Sequence, residues 1–275
     1  MHVVFYHSPK ERCHDFAAHF VAGVREHGDT IETRSINGDI AKEQDCAVIL
    51  GVKKRRLFKE LEQRGTPMVY IDKGYTREWT HRRISTGATQ PSHYLGKWGK
   101  PNDRRLKFGW NFKPWRKHQP NYGHILLALS SPGYHLYEGM PNPEEFAFAT
   151  TEELRKYTQR PIIYRPKPNQ PRNEVPGTIL SPISDNIEQA LEGAHCVIVT
   201  GSSVCLQAMM MGIPSLVLGD SIGLPISSVD LQNIEYPYLA MPNQREQWLN
   251  DLAYCQWSLD EYQNGSAWEH VRPWY

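Results

Sequence analysis

The stretch that most constrains the fold of this 275-residue chain runs from Cys196 to Gly219. An apolar run, Cys196 to Val199, meets the tight polar segment Thr200-Gly201-Ser202-Ser203. A helical pattern follows through Met211, and Gly212 ends it ahead of Pro214 and a second apolar run, Ser215 to Gly219. Glycine just past a helix end and proline beyond it are stop signals. The unit therefore reads strand, turn, helix, strand. Backbone N–H groups at such a helix start have no partner inside the helix, and the hydroxyls of Ser202 and Ser203 lie beside them, an arrangement that suits a phosphate group.

The remainder of the chain repeats the alternation. Val3 to Tyr6 reads as a buried strand, and Phe16, Phe20 and Val24 recur at helical spacing between Glu11 and His27. Ala47 to Gly51 and Met68 to Asp72 are further apolar runs, separated by a charged helical pattern around Leu57 to Leu61. Regularity is lost after Gly74 and resumes at His124 to Leu129, followed by a helix from about Pro143 to Tyr157 and a strand at Pro161 to Arg165. A short helical face at Ile187, Leu191 and Ala194 precedes the Cys196 strand, and a terminal helical region spans Gln244 to Gln263. Strands alternating with helices predict an α/β protein built on parallel sheets, in two Rossmann-like domains. The expected boundary lies near Lys117, giving domains 1–118 and 119–275.

Charge is unevenly spread. The chain carries a net charge of +1, yet residues 76–118 hold eleven Lys or Arg against Glu78 and Asp103, with four of the eight tryptophans. Basic and aromatic side chains interleaved at that density suit a surface that binds nucleic acid and stacks on an extruded base. They equally suit an irregular, solvated interdomain segment that its tryptophans pack down. On the first reading the contact residues are Lys53, Lys54, Arg77, Arg82, Arg83, Trp98, Arg104, Arg105 and Trp115.

No apolar run approaches the roughly 20 residues that span a bilayer, and the start lacks a basic leader region, so no membrane partner is expected. The five cysteines show no metal-like pairing, and reduced thiols in the cytoplasm are expected. No histidine pair has trustworthy metal-ligand spacing, and neither a metal nor a cofactor is expected.

In doubly wound sheets ligands bind at the carboxyl ends of the strands. In the first half those positions hold His7 and Asp72, either of which could act as a general base. In the second half they hold Ser130, Ser131, Arg165, Lys167, Ser202, Ser203 and Asp220, a set rich in hydroxyls and cations. Each also has a structural use: the serines as helix caps, Asp72 and Asp220 as turn formers, His7 as a satisfied core histidine.

The order Ile162-Ile163-Tyr164-Arg165-Pro166-Lys167-Pro168, then Thr200-Gly201-Ser202-Ser203 with Ala208, Gly212 and Pro214, resembles the donor-binding half of two-domain glycosyltransferases of the B fold. The likeness is nearest to the capsule-polysaccharide-type and phage-associated members. It implies two Rossmann-like domains with parallel sheets facing a central cleft, and a nucleotide-sugar donor as co-substrate. Arg165, Lys167, Ser202, Ser203 and Ser131 would then hold the donor phosphates, with Gln207 and Asp220 on the nucleoside or sugar. Many members carry glutamate where this chain has Gln207, and the sequence has no Asp-x-Asp motif, so cationic side chains would take the place of a metal. The expected activity is metal-independent glycosyl transfer to an acceptor hydroxyl, which the basic segment extends to a hydroxymethylated base of phage DNA in the host cytoplasm. The other readings are a non-catalytic nucleic-acid-binding module and a sugar-nucleotide epimerase.

Overall fold

The computed structural model describes residues 1–51, 54–77, 80–120, 122–168, 170–182, 184 and 186–272. The chain forms two compact units: residues 1–91 together with 254–275, and residues 92–253.

The first unit opens with β1 (His2–His7), α1 (Glu11–Glu26), β2 (Thr30–Ser35), β3 (Cys46–Leu50), α2 (Arg55–Gln63), β4 (Met68–Lys73) and β5 (His81–Thr86). β1 and β3 are almost wholly buried, as continuous apolar runs must be when a parallel sheet is covered on both faces. β2, β1, β3 and β4 lie side by side and parallel, and β5 joins antiparallel to β4. α1 buries Phe16, Phe20 and Val24 against this sheet, with the Phe20 ring 5.1 Å from that of Phe5. Each such side chain stabilises the fold by roughly 1.5–3 kcal/mol.

The second unit contains α3 (Asp103–Phe108), β6 (His124–Leu127), α4 (Pro132–Glu138), α5 (Pro143–Leu154), β7 (Ile162–Tyr164), β8 (Ile179–Leu180), α6 (Ile187–Leu191), β9 (Ala194–Val199), α7 (Val204–Met210), β10 (Ser215–Val217) and α8 (Pro242–Ala253). Its strands are all parallel, in the order β10-β9-β6-β7-β8. This is the strand order of a Rossmann half extended by two strands, and β9, α7 and β10 are the strand-turn-helix-strand unit read at 196–219. Ile125, Leu127, Ile162, Tyr164, Cys196, Ile198 and Leu216 form its core with Ala147 and Leu154 of α5.

The chain then returns to the first unit through β11 (Gln256–Ser258), α9 (Leu259–Gln263) and α10 (Ser266–Val271). β11 pairs antiparallel with β5, and the buried rings of Tyr262 and Trp268 pack edge-on against Phe20, 6.1 and 5.8 Å away. The helix expected over 244–263 is therefore two elements in different units, separated by a short strand. Trp248 and Leu252 serve the second unit, whereas Trp257 serves the first.

The partition also differs from a boundary near Lys117. Residues 92–118 pack with the second unit, because buried Asp251 of α8 accepts N–H bonds from Gly96, Trp98 and Lys100 at 2.7, 3.1 and 2.9 Å. Two elements, β5 and α3, occupy the segment expected to be irregular. Both were hidden by their arginines, which polar partners in the folded chain satisfy.

Asp29 ties the returning segment to the first unit. Its carboxylate accepts from Trp268 Nε1 and Arg272 Nε, each at 2.8 Å. Burial alone would raise its pKa, but hydrogen bonds from Arg272, the terminal amine and Trp268 hold it far below the usual carboxylate range. A depressed folded pKa contributes stability above the unfolded value of about 4 and loses it as pH falls toward the folded value. Asp29→Asn should therefore lower the urea midpoint at pH 7, by about 1–3 kcal/mol in stability. The gap between variant and parent should narrow progressively below pH 4.

Candidate functional site

Topology selects one position in each unit. In the second unit β6 lies between β7 and β9, so the connections leaving β6 and β9 diverge to opposite faces and open a crevice at their carboxyl ends. Ser130 and Ser131 follow β6, and Thr200 to Ser203 follow β9.

These two loops are stitched together. Ser130 N–H donates to Thr200 Oγ1 at 3.0 Å, and Gly201 N–H donates to Ser130 Oγ at 2.9 Å. His135, fully buried, donates Nδ1–H to the Pro141 carbonyl at 2.7 Å, leaving Nε2 to accept from Thr200 Oγ1 at 3.3 Å. Burial holds the His135 pKa below its ordinary value, in keeping with a neutral ring that accepts on one side. Tyr134 lies so close to the turn that a Cβ on Gly201 would come within 2.3 Å of its ring. Its hydroxyl donates to the Asp220 carbonyl at 2.8 Å. The β6 and β9 loops thus form one rigid platform, and sequence reading missed Tyr134 and His135 as its supports. The signal available was Ser131-Pro132, a helix cap followed by proline in the first turn; Ser131 Oγ accepts from Tyr134 N–H at 3.4 Å.

Of the residues expected to hold donor phosphates, Lys167 and Ser202 come together: Lys167 Nζ reaches Ser202 Oγ at 3.4 Å. Ser203 occupies the cap position of α7 with no side-chain capping bond. Arg165, at the end of β7, donates Nη1–H to Ser181 Oγ at 2.9 Å. Asp220 accepts from Ser92 Oγ at 2.6 Å, a bond that ties its turn to a residue 128 positions earlier in the chain. Gln207 lines a different groove of about 310 Å³ with Asn111, Lys113 and Glu188. Its Oε1 is buried without a hydrogen-bond donor among the described residues. A buried acceptor left unpaired costs about 1–3 kcal/mol, which a ligand hydroxyl would relieve. Asn111, Lys113 and Glu188 come from distant segments, so only the fold could reveal this grouping.

In the first unit β1 lies between β2 and β3, placing His7 at the corresponding position. His7 Nδ1 donates to the Ser8 carbonyl at 2.9 Å, so in the neutral ring Nε2 carries the lone pair that a general base needs. Asp72 is differently placed. It accepts from Tyr70 Oη at 3.1 Å, Lys73 N–H at 2.8 Å and Arg83 Nη2 at 3.1 Å. Its carboxylate is occupied as the counter-ion of Arg83, which weakens the case for Asp72 as a base.

The nucleic-acid contact set is largely dispersed by the structure. Burial would lower the Arg83 pKa, but Asp72 raises it, and the guanidinium also donates to Gln90 at 2.8 Å. Arg104 and Arg105 are buried: Arg104 donates to the Ala253 carbonyl, and Arg105 to Asn250, Glu246 and the Trp110 carbonyl. Trp115 donates to the Ala240 carbonyl at 2.8 Å, with the Arg245 guanidinium 3.8 Å from its ring centre. Trp98 packs against Tyr94 and Lys100, and Arg82 lies over Phe16. Lys54 and Arg77 are exposed, and Lys53 lies outside the described residues. Most of these cations and rings hold their own unit together, since long basic side chains near apolar surface bury their stems and find carbonyls. Among the described residues no group of three His, Cys, Asp or Glu could hold a metal, and no helix is long and apolar enough to cross a membrane.

Two solved structures from Thermosulfurimonas dismutans match nearly the whole chain. The KpsC β-Kdo 2,4-transferase superposes with a TM-score of 0.55 at 12% identity, covering 93% of this chain and 91% of that one. The KpsC β-Kdo 2,7-transferase does so with a TM-score of 0.53 at 12% identity, covering 100% of both. The UDP-GlcNAc 2-epimerase of Methanocaldococcus jannaschii is far looser, with a TM-score of 0.31 at 8% identity over 100% of this chain and 99% of that one. No family model and no curated protein sequence matches the chain. The likeness establishes the fold, two Rossmann-like units as in glycosyltransferases of the B fold; at such low identity it does not establish the activity.

The Asp72 and Arg83 pair gives a separable prediction. Asp72→Ala should cost about 2 kcal/mol in urea denaturation, because it leaves a largely enclosed guanidinium without its counter-ion. Replacing both residues with apolar ones should recover part of that loss.

Proposed function

We propose that the chain is a nucleotide-sugar glycosyltransferase whose donor binds at the β6/β9 crevice of the second unit. The observation that carries this reading is the Lys167–Ser202 pair, which stands on a rigid loop platform at the ligand position of the Rossmann order. Support comes from the two transferase structures that share the fold over almost the full chain. Lys167, Ser202, Ser203 and Ser131 hold the donor phosphate, with Arg165 as a neighbouring cation. Gln207 lines a separate groove, so the nucleoside contact expected of it is not carried into this reading.

In the reaction the acceptor hydroxyl gives its proton to a general base, and its oxygen bonds to the anomeric carbon. The bond from that carbon to the donor phosphate oxygen breaks, and its electron pair leaves with the nucleotide. Lys167 offsets the negative charge that gathers on the departing phosphate. His7 is preferred to Asp72 because its free ring nitrogen has no competing donor among the described residues, whereas Asp72 already has three.

The acceptor is assigned as a hydroxyl compound. A hydroxymethylated base in duplex DNA loses most of its support once Arg83, Arg104, Arg105 and Trp115 are seen in structural contacts, and the same finding weakens the non-catalytic nucleic-acid module.

A panel of activated sugars, including an activated Kdo because both similar structures are Kdo transferases, tests the proposal. Each would be incubated with saccharide acceptors and with hydroxymethylated duplex DNA. The expected result is nucleotide release that depends on an acceptor. Lys167→Ala should raise the donor Kd about tenfold by calorimetry. His7→Asn should lower kcat by about 10²–10⁴-fold with donor Kd unchanged. Sugar isomerisation without any acceptor would instead establish an epimerase, and failure to bind every donor would refute the proposal.

A further inference from the structure

A second cavity lies at the other end of the second sheet. It measures about 480 Å³, within the range of small-molecule sites. Gly193 and Ala194 at the start of β9 and Pro214 ahead of β10 form its floor. Ser131, Lys167 and Ser202 follow the carboxyl ends of the strands, so the length of the sheet separates the two positions. β9 has six residues, which at the usual rise span about 20 Å.

The lining combines three chemistries. The first is a set of rings: His118 lies 4.8 Å from Tyr236 at an interplanar angle of 30°, and 5.4 Å from His195. Tyr236 and Tyr122 are 78% and 65% exposed, leaving broad ring faces in water at the cavity. The second is directional: His195 donates Nε2–H to the Ile234 carbonyl at 2.9 Å, so in the neutral ring Nδ1 is an acceptor. Burial and the nearby Arg160 charge hold the His195 pKa below its ordinary value, which keeps that ring neutral. The third is charge. Lys117 makes no hydrogen bond or ion pair with any other described residue, whereas the single lining carboxylate, Glu235, is taken up by Arg160 and Thr158.

Exposed flat rings call for a flat partner, a neutral imidazole nitrogen for an N–H donor, and an uncompensated ammonium for an anion. A heteroaromatic base bearing a phosphate supplies all three. We propose that this cavity is a second ligand site, for a nucleoside monophosphate, distinct from the donor position. Its base stacks on Tyr236 and His118, and its phosphate pairs with Lys117. This inference does not rest on the glycosyltransferase reading.

The test uses the full chain carrying Lys167→Ala, which weakens the β6/β9 position. AMP, CMP, GMP and UMP would be titrated calorimetrically, with the matching nucleosides and inorganic phosphate as controls. At least one monophosphate should bind with one-to-one stoichiometry, and more tightly than its nucleoside or phosphate. Adding Tyr236→Ala or Lys117→Ala, both surface changes, should weaken binding about tenfold each. The proposal is overturned if no monophosphate binds, or if binding ignores both changes. It is also overturned if sedimentation shows that Tyr236→Ala only dissolves a self-association while nucleotides do not bind. Donor titration of the parent chain reports separately on the β6/β9 position, so the two proposals can fail independently.

Discussion

The parallel pairing of β6 with β9 is the constraint on which the second unit depends. Because β6 is the first strand of the unit and β9 the fourth, their neighbours leave in opposite directions and the two following loops must meet over an open crevice. Thr200 serves both loops, accepting from Ser130 N–H while its hydroxyl reaches His135. Gly201 permits this because the Tyr134 ring occupies the space a side chain would need. The platform holds Ser202 in place, and Lys167, from the loop after β7, reaches it at 3.4 Å.

The first unit meets its own constraint at the opposite edge of its sheet. β5 would be an exposed edge strand; β11 covers it with residues drawn from the end of the chain. Tyr262 and Trp268 then pack beside α1 in the same core cluster, and Asp29 anchors the return through Trp268 and Arg272. The arginines of residues 82–105 belong to the same economy of polar satisfaction: buried or half-buried guanidinium groups take up carbonyls and carboxylates that packing would otherwise strand.

Legibility in the sequence followed the strength of local patterning. β1, β3, β4, β6 and β9 were readable because strands covered on both faces are nearly pure apolar runs, and α1 because Phe16, Phe20 and Val24 keep helical spacing. β2 was not, since an edge strand of sequence Thr-Ile-Glu-Thr-Arg-Ser alternates half-exposed residues. β5 and α3 were read as a basic surface because an arginine's partner is invisible until the chain folds: Asp72, Asn250 and Glu246 are what make Arg83 and Arg105 structural. At the candidate site, strand ends pointed to Ser131, Lys167, Ser202 and His7. The groove that Gln207 shares with Asn111 and Glu188 has no sequence signal, because tertiary packing alone assembles it.

The central claim is that an activated sugar docks on the β6/β9 platform. Hydrogen-exchange mass spectrometry on the intact chain, with and without saturating donor, tests it most directly. The account predicts slowed exchange in peptides covering residues 130–134, 165–168 and 200–207. Unchanged exchange there, with protection confined to residues 116–120 and 193–195, would contradict it.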